Sequence, residues 1–412
     1  MEYESLSRLN NNLYQAKKNG RWGIIDENNL TIVPFDWTDI RTISGLENYL
    51  IVRDNSYPSK QLGIYSITAR KLTVPCIYNS LDKVNRHNFF KVKNGAKYNI
   101  VDINNQPKFK TWYDELIIPK NGRNFYIVKT NNRYGVIDDN EQEVVPIEYQ
   151  EISKRPYSDG SYLAKNKDGK YGFMLLDGRI TLPFEYDNLT TKYNDNVVSV
   201  QNGQCGLVQV NSGVPYEIVI CNYDDIRGVS STFILEKDGK YGLLDEYGKL
   251  LTEIEYQSLE VLNPNSYQNL IIKAKKDNDQ VLLLDEQGKL INNEKYKDIS
   301  VIINKDKSNY YRVNFSYLKA LGKNKKYRII DKVGTPVTKP LFDDVLAETN
   351  NMVTVKSKGK YGLYYILDQK MVVDYQYDQI VFAKGYFIGV SGKTMDFLYT
   401  KSGQLIKKVP GK

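Results

Sequence analysis

An aromatic residue followed three positions later by an aliphatic residue recurs eleven times in this 412-residue chain, about every 36 residues. We call this position the aromatic slot, and its occupants are Tyr3, Trp37, Tyr78, Tyr113, Tyr149, Tyr186, Tyr223, Tyr256, Tyr296, Phe342 and Tyr377. The aliphatic companions are Leu6, Ile40, Leu81, Leu116, Ile152, Leu189, Ile226, Leu259, Ile299, Val345 and Ile380. Self-similarity at a period of this length is typical of solenoids, propellers and other arrays, so it outranks local patterns as evidence about the fold.

A second recurring position lies between successive aromatic slots and is followed, in seven units, by glycine. We call it the aromatic-glycine slot, and its occupants are Trp22, Leu62, Tyr98, Tyr134, Tyr171, Cys205, Tyr241, Val281, Tyr327, Tyr361 and Met395. No linker rich in Pro, Gly or Ser interrupts these anchors. We therefore interpret residues 1–412 as one continuous repeat array without a separate catalytic domain.

Turn chemistry predicts that each unit is a small antiparallel β-meander. Residue pairs that tolerate positive φ predict tight two-residue hairpins: Asn19-Gly20, Asn94-Gly95, Asn131-Asn132, Asp168-Gly169, Asn202-Gly203, Asp238-Gly239 and Lys358-Gly359. The strand that leaves each hairpin often ends in Asp before a second turn, as at Asp26, Asp102, Asp138, Asp245, Asp285 and Asp331. A segment such as 143–146 then leads to the next aromatic slot. Its proline indicates an edge or terminal strand position.

These residues resemble the WG-repeat, or KWG-repeat, proteins of bacteria. Units of that family read Gly-Lys-Trp-Gly, two aliphatic residues and Asp, and they close with an aromatic-Asp-x-aliphatic tail. Segments 19–26, 168–172 and 238–242 match this pattern closely, and the pattern extends over almost the whole chain. Tryptophan fills only one aromatic-glycine slot, at Trp22, and tyrosine fills most others. The resemblance implies an all-β repeat array and brings no reaction with it, since such repeats occur in proteins of diverse roles.

Two architectures satisfy the repeat. We predict an all-β tandem array of about eleven antiparallel meanders that forms an open, curved β-superhelix. The alternative is a β-propeller, arranged as two rings because eleven units exceed the usual limit of about eight blades. A lone meander is marginal in water, so each unit must bury its anchors against its neighbours. Truncation to alanine of a fully buried anchor, with Tyr171 and Tyr186 as the candidates, is expected to cost about 3–5 kcal/mol.

Chemistry-bearing residues fit the repeat better than they fit a catalytic site. His87 is the single histidine, which excludes histidine-based metal clusters. Cys205 fills an aromatic-glycine slot, and Cys76 and Cys221 lie two residues before an aromatic slot, so we interpret all three as core substitutes. The acidic pairs occupy repeat positions and indicate turn capping: Asp138-Asp139, Asp224-Asp225 and Asp343-Asp344. Because no phosphate-binding motif is present either, we predict no enzyme, no cofactor and no metal site.

Insertions are confined to one half of the repeat. The spacing from the aromatic-glycine slot to the aromatic slot is fifteen residues in seven units, whereas the other half ranges from eighteen to thirty-one. Loops of a repeat protein collect on one face, which is often the binding face. The longest insertion follows Ile299 and predicts a partner-binding loop through Lys305, Lys307, Tyr310, Tyr311, Lys323, Lys325 and Lys326, with Lys319 in the same stretch. A solvated, lysine-rich loop is the alternative interpretation.

We expect a non-catalytic binding or scaffolding protein that presents an extended surface to a protein partner. The alternative is a carbohydrate-binding array that uses exposed members of the 34 tyrosines as stacking platforms, and an enzyme with an unusual site is a minor alternative. The net charge of +8 accompanies no nucleic-acid-binding motif, so no specific nucleic acid is expected. Without a transmembrane or signal-peptide pattern we predict a cytoplasmic protein with no membrane insertion; the alternative is an exported protein whose signal is absent from this numbering.

Deletion of one whole unit, residues 150–186, distinguishes the two architectures. An open array is expected to tolerate the loss with proportionally reduced stability, because each unit contacts only its neighbours. A closed ring would collapse or change register. Size-exclusion chromatography and denaturant unfolding measure the outcome, and aggregation of the deletion variant with all other anchors intact would contradict the open array.

Overall fold

The computed structural model describes residues 3–9, 12–54, 61–84, 88–120, 124–157, 160–193, 196–210, 215–264, 269–304, 315–339, 341–349, 351–383, 386–398 and 405–410. Every regular element in these ranges is a β-strand, and the strands form eleven small sheets. The chain divides into two compact units, one of Met1–Tyr186 with Asn211–Pro215 and the other of Asp187–Val210 with Tyr216–Lys412. The all-β repeat fold predicted from the sequence is therefore confirmed.

The first unit contains five sheets. The first and second sheets comprise β1 (Ser5–Arg8), β2 (Leu13–Lys18), β3 (Arg21–Asp26) and β4 (Thr31–Trp37), then β5 (Asp39–Thr42), β6 (Tyr49–Arg53), β7 (Leu62–Ser66) and β8 (Lys71–Tyr78). The third and fourth comprise β9 (Ser80–Lys83), β10 (Phe89–Asn94) and β11 (Lys97–Asp102), then β12 (Glu115–Ile117), β13 (Phe125–Thr130), β14 (Arg133–Asp138) and β15 (Glu143–Tyr149). The fifth comprises β16 (Glu151–Ile152), β17 (Tyr162–Lys165), β18 (Tyr171–Met174) and β19 (Ile180–Tyr186).

The second unit contains six sheets. The sixth, seventh and eighth comprise β20 (Asn188–Tyr193), β21 (Asn196–Gln201), β22 (Gln204–Gln209) and β23 (Tyr216–Tyr223), then β24 (Asp225–Val229), β25 (Thr232–Lys237) and β26 (Lys240–Asp245), then β27 (Ser258–Val261), β28 (Ile272–Lys275) and β29 (Val281–Leu284). The ninth and tenth comprise β30 (Asp298–Val301), β32 (Tyr317–Leu321) and β33 (Tyr327–Asp331), then β31 (Ile303–Asn304), β34 (Asp344–Thr349), β35 (Met352–Ser357), β36 (Lys360–Tyr365) and β37 (Lys370–Tyr377). The eleventh comprises β38 (Gln379–Ala383), β39 (Tyr386–Ser391), β40 (Thr394–Leu398) and β41 (Leu405–Pro410).

Each sheet corresponds to one sequence repeat, since it begins just after one aromatic slot and, except for the last, ends at the next. In six sheets four strands follow chain order from one edge to the other, and we call them the first to fourth strands. In the four three-stranded sheets isolated bridges take the place of the fourth strand, and in the tenth sheet β31 is added beside the first strand, β34. The aromatic-glycine slot lies in the third strand and pairs directly with the next aromatic slot. The ten pairs are Trp22–Trp37, Leu62–Tyr78, Tyr98–Tyr113, Tyr134–Tyr149, Tyr171–Tyr186, Cys205–Tyr223, Tyr241–Tyr256, Val281–Tyr296, Tyr327–Phe342 and Tyr361–Tyr377. This pairing explains the nearly constant spacing, because one hairpin joins the two slots.

Glycine in the third strand lets the fourth strand pass close over it. A Cβ atom on Gly172 would lie 2.8 Å from the carbonyl oxygen of Leu182 and 2.9 Å from the ring of Phe184. The pairing register shifts here, which marks a β-bulge, and Pro183 lies in this bulge on the outer strand of the sheet. Its missing N–H disrupts no ladder, so the predicted edge position of proline is confirmed. The same position in other sheets holds Pro34, Pro75 and Pro146.

Five of the seven predicted hairpin turns have positive φ at both central residues, as two-residue type I′ turns require. They are Asn19-Gly20, Asn131-Asn132, Asn202-Gly203, Asp238-Gly239 and Lys358-Gly359. The other two predictions were wrong in detail. Asp168 and its glycine belong to a five-residue loop between β17 and β18, where Asn166 Oδ1 accepts the N–H groups of Asp168 and Lys170. In the third sheet Asn94 is still in the strand and pairs with Lys97, so the two-residue turn consists of residues 95–96 and not of Asn94-Gly95.

The hydrophobic core is divided into clusters that consecutive sheets of the same unit share. One cluster joins Val33 and Trp37 of the first sheet to Leu50 and Val52 of the second. Seven aromatic slots are buried in such clusters, namely Trp37, Tyr78, Tyr113, Tyr256, Tyr296, Phe342 and Tyr377, and Tyr186 is buried as well. The prediction that these rings hold each repeat against its sequence neighbours is confirmed within each unit.

The aromatic-glycine slot differs from this pattern, because its tyrosines are only half-buried. Tyr171 belongs to this group, whereas its cross-strand partner Tyr186 is 3% exposed. The truncation cost expected for a fully buried anchor therefore applies to Tyr186 and not to Tyr171. The sequence pattern alone did not distinguish the two slots, since large aromatic residues recur in both.

The three cysteines are half-buried and form no disulfide. A Cβ atom on Gly63 would lie 2.9 Å from Cys76 Sγ, where other sheets place the ring of Phe35 or Phe184 over the equivalent glycine. Burial raises the pKa of the Cys76 thiol to about 11. These positions agree with the interpretation of the cysteines as core substitutes.

None of the sheets in the described part of the chain closes on itself, as expected for an open β-repeat array. Within each unit, consecutive sheets share the hydrophobic clusters described above. Curvature of the array, its continuity over residues 1–412 and the propeller alternative stay predictions.

The two slots are expected to respond differently to truncation. Tyr186→Ala should lower the free energy of unfolding by about 3–5 kcal/mol, because it empties a buried site. Tyr171→Ala should cost about 1–2 kcal/mol, because part of this side chain is already exposed to water. Urea denaturation measures both, and Tyr247→Ala, at a residue 70% exposed, is the control and should stay within about 0.5 kcal/mol of the parent. Equal losses for Tyr171 and Tyr186 would contradict the assignment of the slots.

Candidate binding groove

The insertion predicted as a binding loop lies mostly outside the described residues. Lys305, Lys307, Tyr310 and Tyr311 belong to the undescribed range 305–314, so their role stays a prediction. The described end of the insertion shows where it leaves the array: it connects β30 and β32, the first two strands of the ninth sheet, and β31 within it pairs in parallel with β34 of the tenth sheet.

The remaining predicted site residues lie at the next hairpin. Lys323 and Lys325 are exposed at the turn between β32 and β33. Lys326 forms an ion pair with Asp343, and Lys319 forms one with Asp344, at 2.6 Å between Nζ and Oδ1. Two of the four described lysines are therefore engaged by the protein itself, and the structure does not bring them together with a cavity.

The aspartates that end the third strands are turn caps. Asp138 Oδ1 accepts the backbone N–H groups of Asn140 and Gln142, both at 2.8 Å. The equivalent aspartates accept the N–H groups of the residues two and four positions later in the same way. They are Asp26, Asp102, Asp245, Asp285 and Asp331. Such Asx-type turns occupy these carboxylates in every one of these sheets.

A second set of side chains, one residue after the aromatic slot, caps the hairpin between the second and third strands. Asp114 Oδ2 accepts the N–H of Asn131 at 3.0 Å, and its Oδ1 pairs with Lys97 Nζ at 2.6 Å. The hydrogen bond from Lys97 is the main cause that lowers the pKa of Asp114. Equivalent backbone contacts are made by Glu4, Asn79, Asp187, Asp224, Asp343 and Asp378. The acidic pairs of the sequence thus include structural caps, as expected.

Most tyrosine rings are covered. Lysine ammonium groups of the second strand lie over six aromatic-glycine slots, with Nζ 4.9 to 5.8 Å from the ring centres. Among the described tyrosines only Tyr216 and Tyr247 are strongly exposed, at 53% and 70%. A sugar-stacking array needs exposed rings, and among the described tyrosines these two are the ones open enough to serve.

No group of three or more His, Cys, Asp or Glu side chains among the described residues could hold a metal ion. His87 lies outside those residues. No described segment forms a helix long and apolar enough to cross a membrane.

An open groove of about 660 Å³ lies in the first unit, along the first strands of the third and fourth sheets. Its charged lining comprises Lys83, Lys91, Lys120 and Lys154 with Asp82 and Glu115, and its apolar lining comprises Val84, Ile117, Ile118 and Pro119. Several of these residues belong to the connections after the first strands, which is where the insertions occur. Sequence reasoning missed this groove for two reasons. Its residues are dispersed over three repeats, and the loops that contribute to it are shorter than the insertion after Ile299.

Two charged groups in the groove have different environments. Glu115 pairs with Lys154 at 2.6 Å and accepts the Tyr134 hydroxyl at 2.9 Å. Burial opposes ionisation of Glu115, but these hydrogen bonds hold its pKa below the usual range. Lys91 is half-buried, its Nζ lies 4.9 Å from the Tyr98 ring centre, and burial lowers its pKa. The groove therefore combines a neutralised carboxylate with a partly desolvated ammonium.

Comparison with known proteins identifies the repeat. A family model described as WG containing repeat matches residues 134–171 and 327–361, and both matches begin and end at an aromatic-glycine slot. No curated protein matches the chain.

Solved structures resemble the chain only weakly. One titled as the eukaryotic initiation factor has 10% identity, covers 83% of this chain and 98% of its own, and has a TM-score of 0.28. PorZ, a bacterial surface component of the type-IX secretion system of Porphyromonas gingivalis, has 10% identity, covers 98% of this chain and 68% of its own, and has a TM-score of 0.23. These scores are too low to establish a shared overall fold.

The negative charge of Asp114 is expected to stabilise the fold only at pH values at which this carboxyl group is ionised. Because its folded-state pKa is depressed below the ordinary value of 3.8, its contribution is present above that value and is lost as the pH falls through the folded pKa. Asp114→Asn keeps the acceptor and removes the charge, so it should lower the urea midpoint at pH 6 and have a smaller effect at pH 3. Asp168→Asn, at an exposed loop, is the control. An Asp114→Asn effect that is independent of pH would contradict this role.

Proposed function

Because the chain carries repeats of the WG family, we propose that it is a non-catalytic binding protein whose groove along the first strands of the third and fourth sheets receives a segment of a protein partner. The observation that carries the proposal is the groove itself, which combines apolar residues with four lysines, of which Lys83 binds the Ser44 carbonyl and Lys154 pairs with Glu115. Apolar surface with convergent polar groups is the usual composition of a binding site.

The position of the groove in the repeat also supports a binding role. Insertions occur after the first strands, and such variable loops surround the binding face in many repeat proteins. The paired third and fourth strands keep their spacing, because they form the packed hairpin of each sheet. Variation in loop length is therefore concentrated after the first strands, where it does not disturb the hydrophobic core.

A non-catalytic role is supported by the contacts of the acidic residues. The carboxylates that a search for acid–base catalysis would select, such as Asp138 and Asp224, accept backbone N–H groups of turns. A carboxylate held by a turn is a poor general base, because its hydrogen bonds stabilise the ionised form. Carbohydrate binding is the second candidate, and Tyr216 and Tyr247 are the described rings on which it would depend.

Site-specific photo-crosslinking tests the proposal. Benzoylphenylalanine at Lys120, an exposed groove residue, should crosslink the full-length chain to a partner protein when cells that express it are irradiated. The matched control is the same residue at Glu185, which is exposed on β19 at the opposite edge of a sheet in the same unit. Discrete adducts from Lys120 that are absent from Glu185 are expected. Equal labelling from both positions, or no adduct from Lys120, would contradict binding through the groove.

A further inference from the structure

Three sheets carry a lysine at the same register position of the second strand. In each, the lysine is the cross-strand partner of the aliphatic residue that lies two positions after the aromatic-glycine slot. The pairs are Lys91–Ile100 in the third sheet, Lys273–Leu283 in the eighth and Lys319–Ile329 in the ninth. Because the three backbones are equivalent here, differences in the partners of these lysines come from the surrounding side chains.

In two of the three sheets a carboxylate of the following sheet binds the lysine. Lys273 Nζ lies 2.6 Å from Asp298 Oδ1, and Lys319 Nζ lies 2.6 Å from Asp344 Oδ1. Both aspartates lie two residues after an aromatic slot, in the first strand of the next sheet. A partly buried ammonium is thus neutralised across each of these sheet-to-sheet contacts.

The third sheet departs from this arrangement. The equivalent carboxylate is Glu115, but Lys154 and the Tyr134 hydroxyl bind it instead. Lys91 forms no ion pair with any described residue, although Asp82, its cross-strand partner, and Glu115 act on its charge at longer range. Among the described residues, none therefore takes the place of the carboxylate that binds each of the other two lysines directly.

We propose that Lys91 is the recognition residue for a carboxylate side chain on an extended, acidic and apolar peptide segment of the partner. This assignment rests on the proposed function. A half-buried ammonium without a carboxylate in direct contact is costly, and an incoming carboxylate supplies that contact. Lys91 lines the open groove, so a ligand reaches it from solvent.

The rest of the groove favours a peptide over a small anion. Ile117, Ile118 and Pro119 form an apolar surface beside Lys91, and Lys83 and Lys120 add positive charge at its margin. An extended segment that alternates acidic and apolar side chains can bind both, since alternate residues of a strand point to opposite sides. A free carboxylate or phosphate would leave the apolar surface uncovered.

Fluorescence polarisation with a labelled peptide of five Glu-Leu repeats, bound to the full-length chain, tests the assignment. Lys91→Met retains the aliphatic stem and removes the ammonium, so it should weaken binding about tenfold or more. Lys91→Arg should restore binding to within about threefold of the parent, because it restores the charge. A peptide of Gln-Leu repeats should bind the parent about tenfold more weakly than the Glu-Leu peptide.

Three further variants separate this site from a general effect of positive charge. Lys93→Met lies on the same strand and removes a lysine over the same Tyr98 ring, but it does not line the groove, so binding should stay within about twofold. Lys154→Met releases Glu115 to bind Lys91, so it should weaken peptide binding by about as much as Lys91→Met. Glu115→Gln removes that competitor and should preserve or strengthen binding.

Thermal unfolding of each variant verifies that the fold is retained. Equal weakening by Lys91→Met and Lys93→Met, or no binding of the Glu-Leu peptide to the parent, would overturn the assignment. Binding through the groove and recognition by Lys91 can be rejected independently of each other. Adducts from position 120 that persist in Lys91→Met would leave the binding function standing and reject Lys91 as its recognition residue.

Discussion

The packing of one aromatic ring per repeat between consecutive sheets is the interaction on which the rest of the structure depends. A three- or four-stranded meander has too little buried surface to be stable alone, so it must share a core with its neighbour. The ring of Phe342, 1% exposed, joins a cluster with Val345 and Val355 of the following sheet. The direct pairing of the aromatic slot with the preceding aromatic-glycine slot holds each ring in position. Glycine after that slot allows the fourth strand to fold closely over the third.

Most of the polar chemistry in the chain serves this scaffold. Aspartates cap the two kinds of turn, and lysines cover the half-buried rings beside them. Such contacts satisfy backbone N–H groups that the short hairpins would otherwise leave without partners. In a repeat protein a residue type that recurs at one position is therefore explained by the fold. A functional site is found where one repeat departs from the others.

Lys91 is a departure of this kind. Its equivalents, Lys273 and Lys319, contact carboxylates of the next sheet, whereas Glu115 is held by Lys154 from the sheet beyond. One lysine at position 154 thus changes the state of another more than sixty residues earlier in the sequence.

The sequence by itself determined the all-β class, the number of repeats, the proline positions, the turn caps and five hairpin turns, because each depends on residues near one another in the chain. It did not distinguish the buried Tyr186 from the half-buried Tyr171, because large aromatic residues recur in both slots. Nor did it reveal the groove. Ion pairs such as Lys154 with Glu115 form between side chains of different sheets, and only the tertiary structure decides which carboxylate each lysine reaches. Binding sites that depend on such competition are determined by distances in space, whereas strands and turns are determined by spacing along the chain.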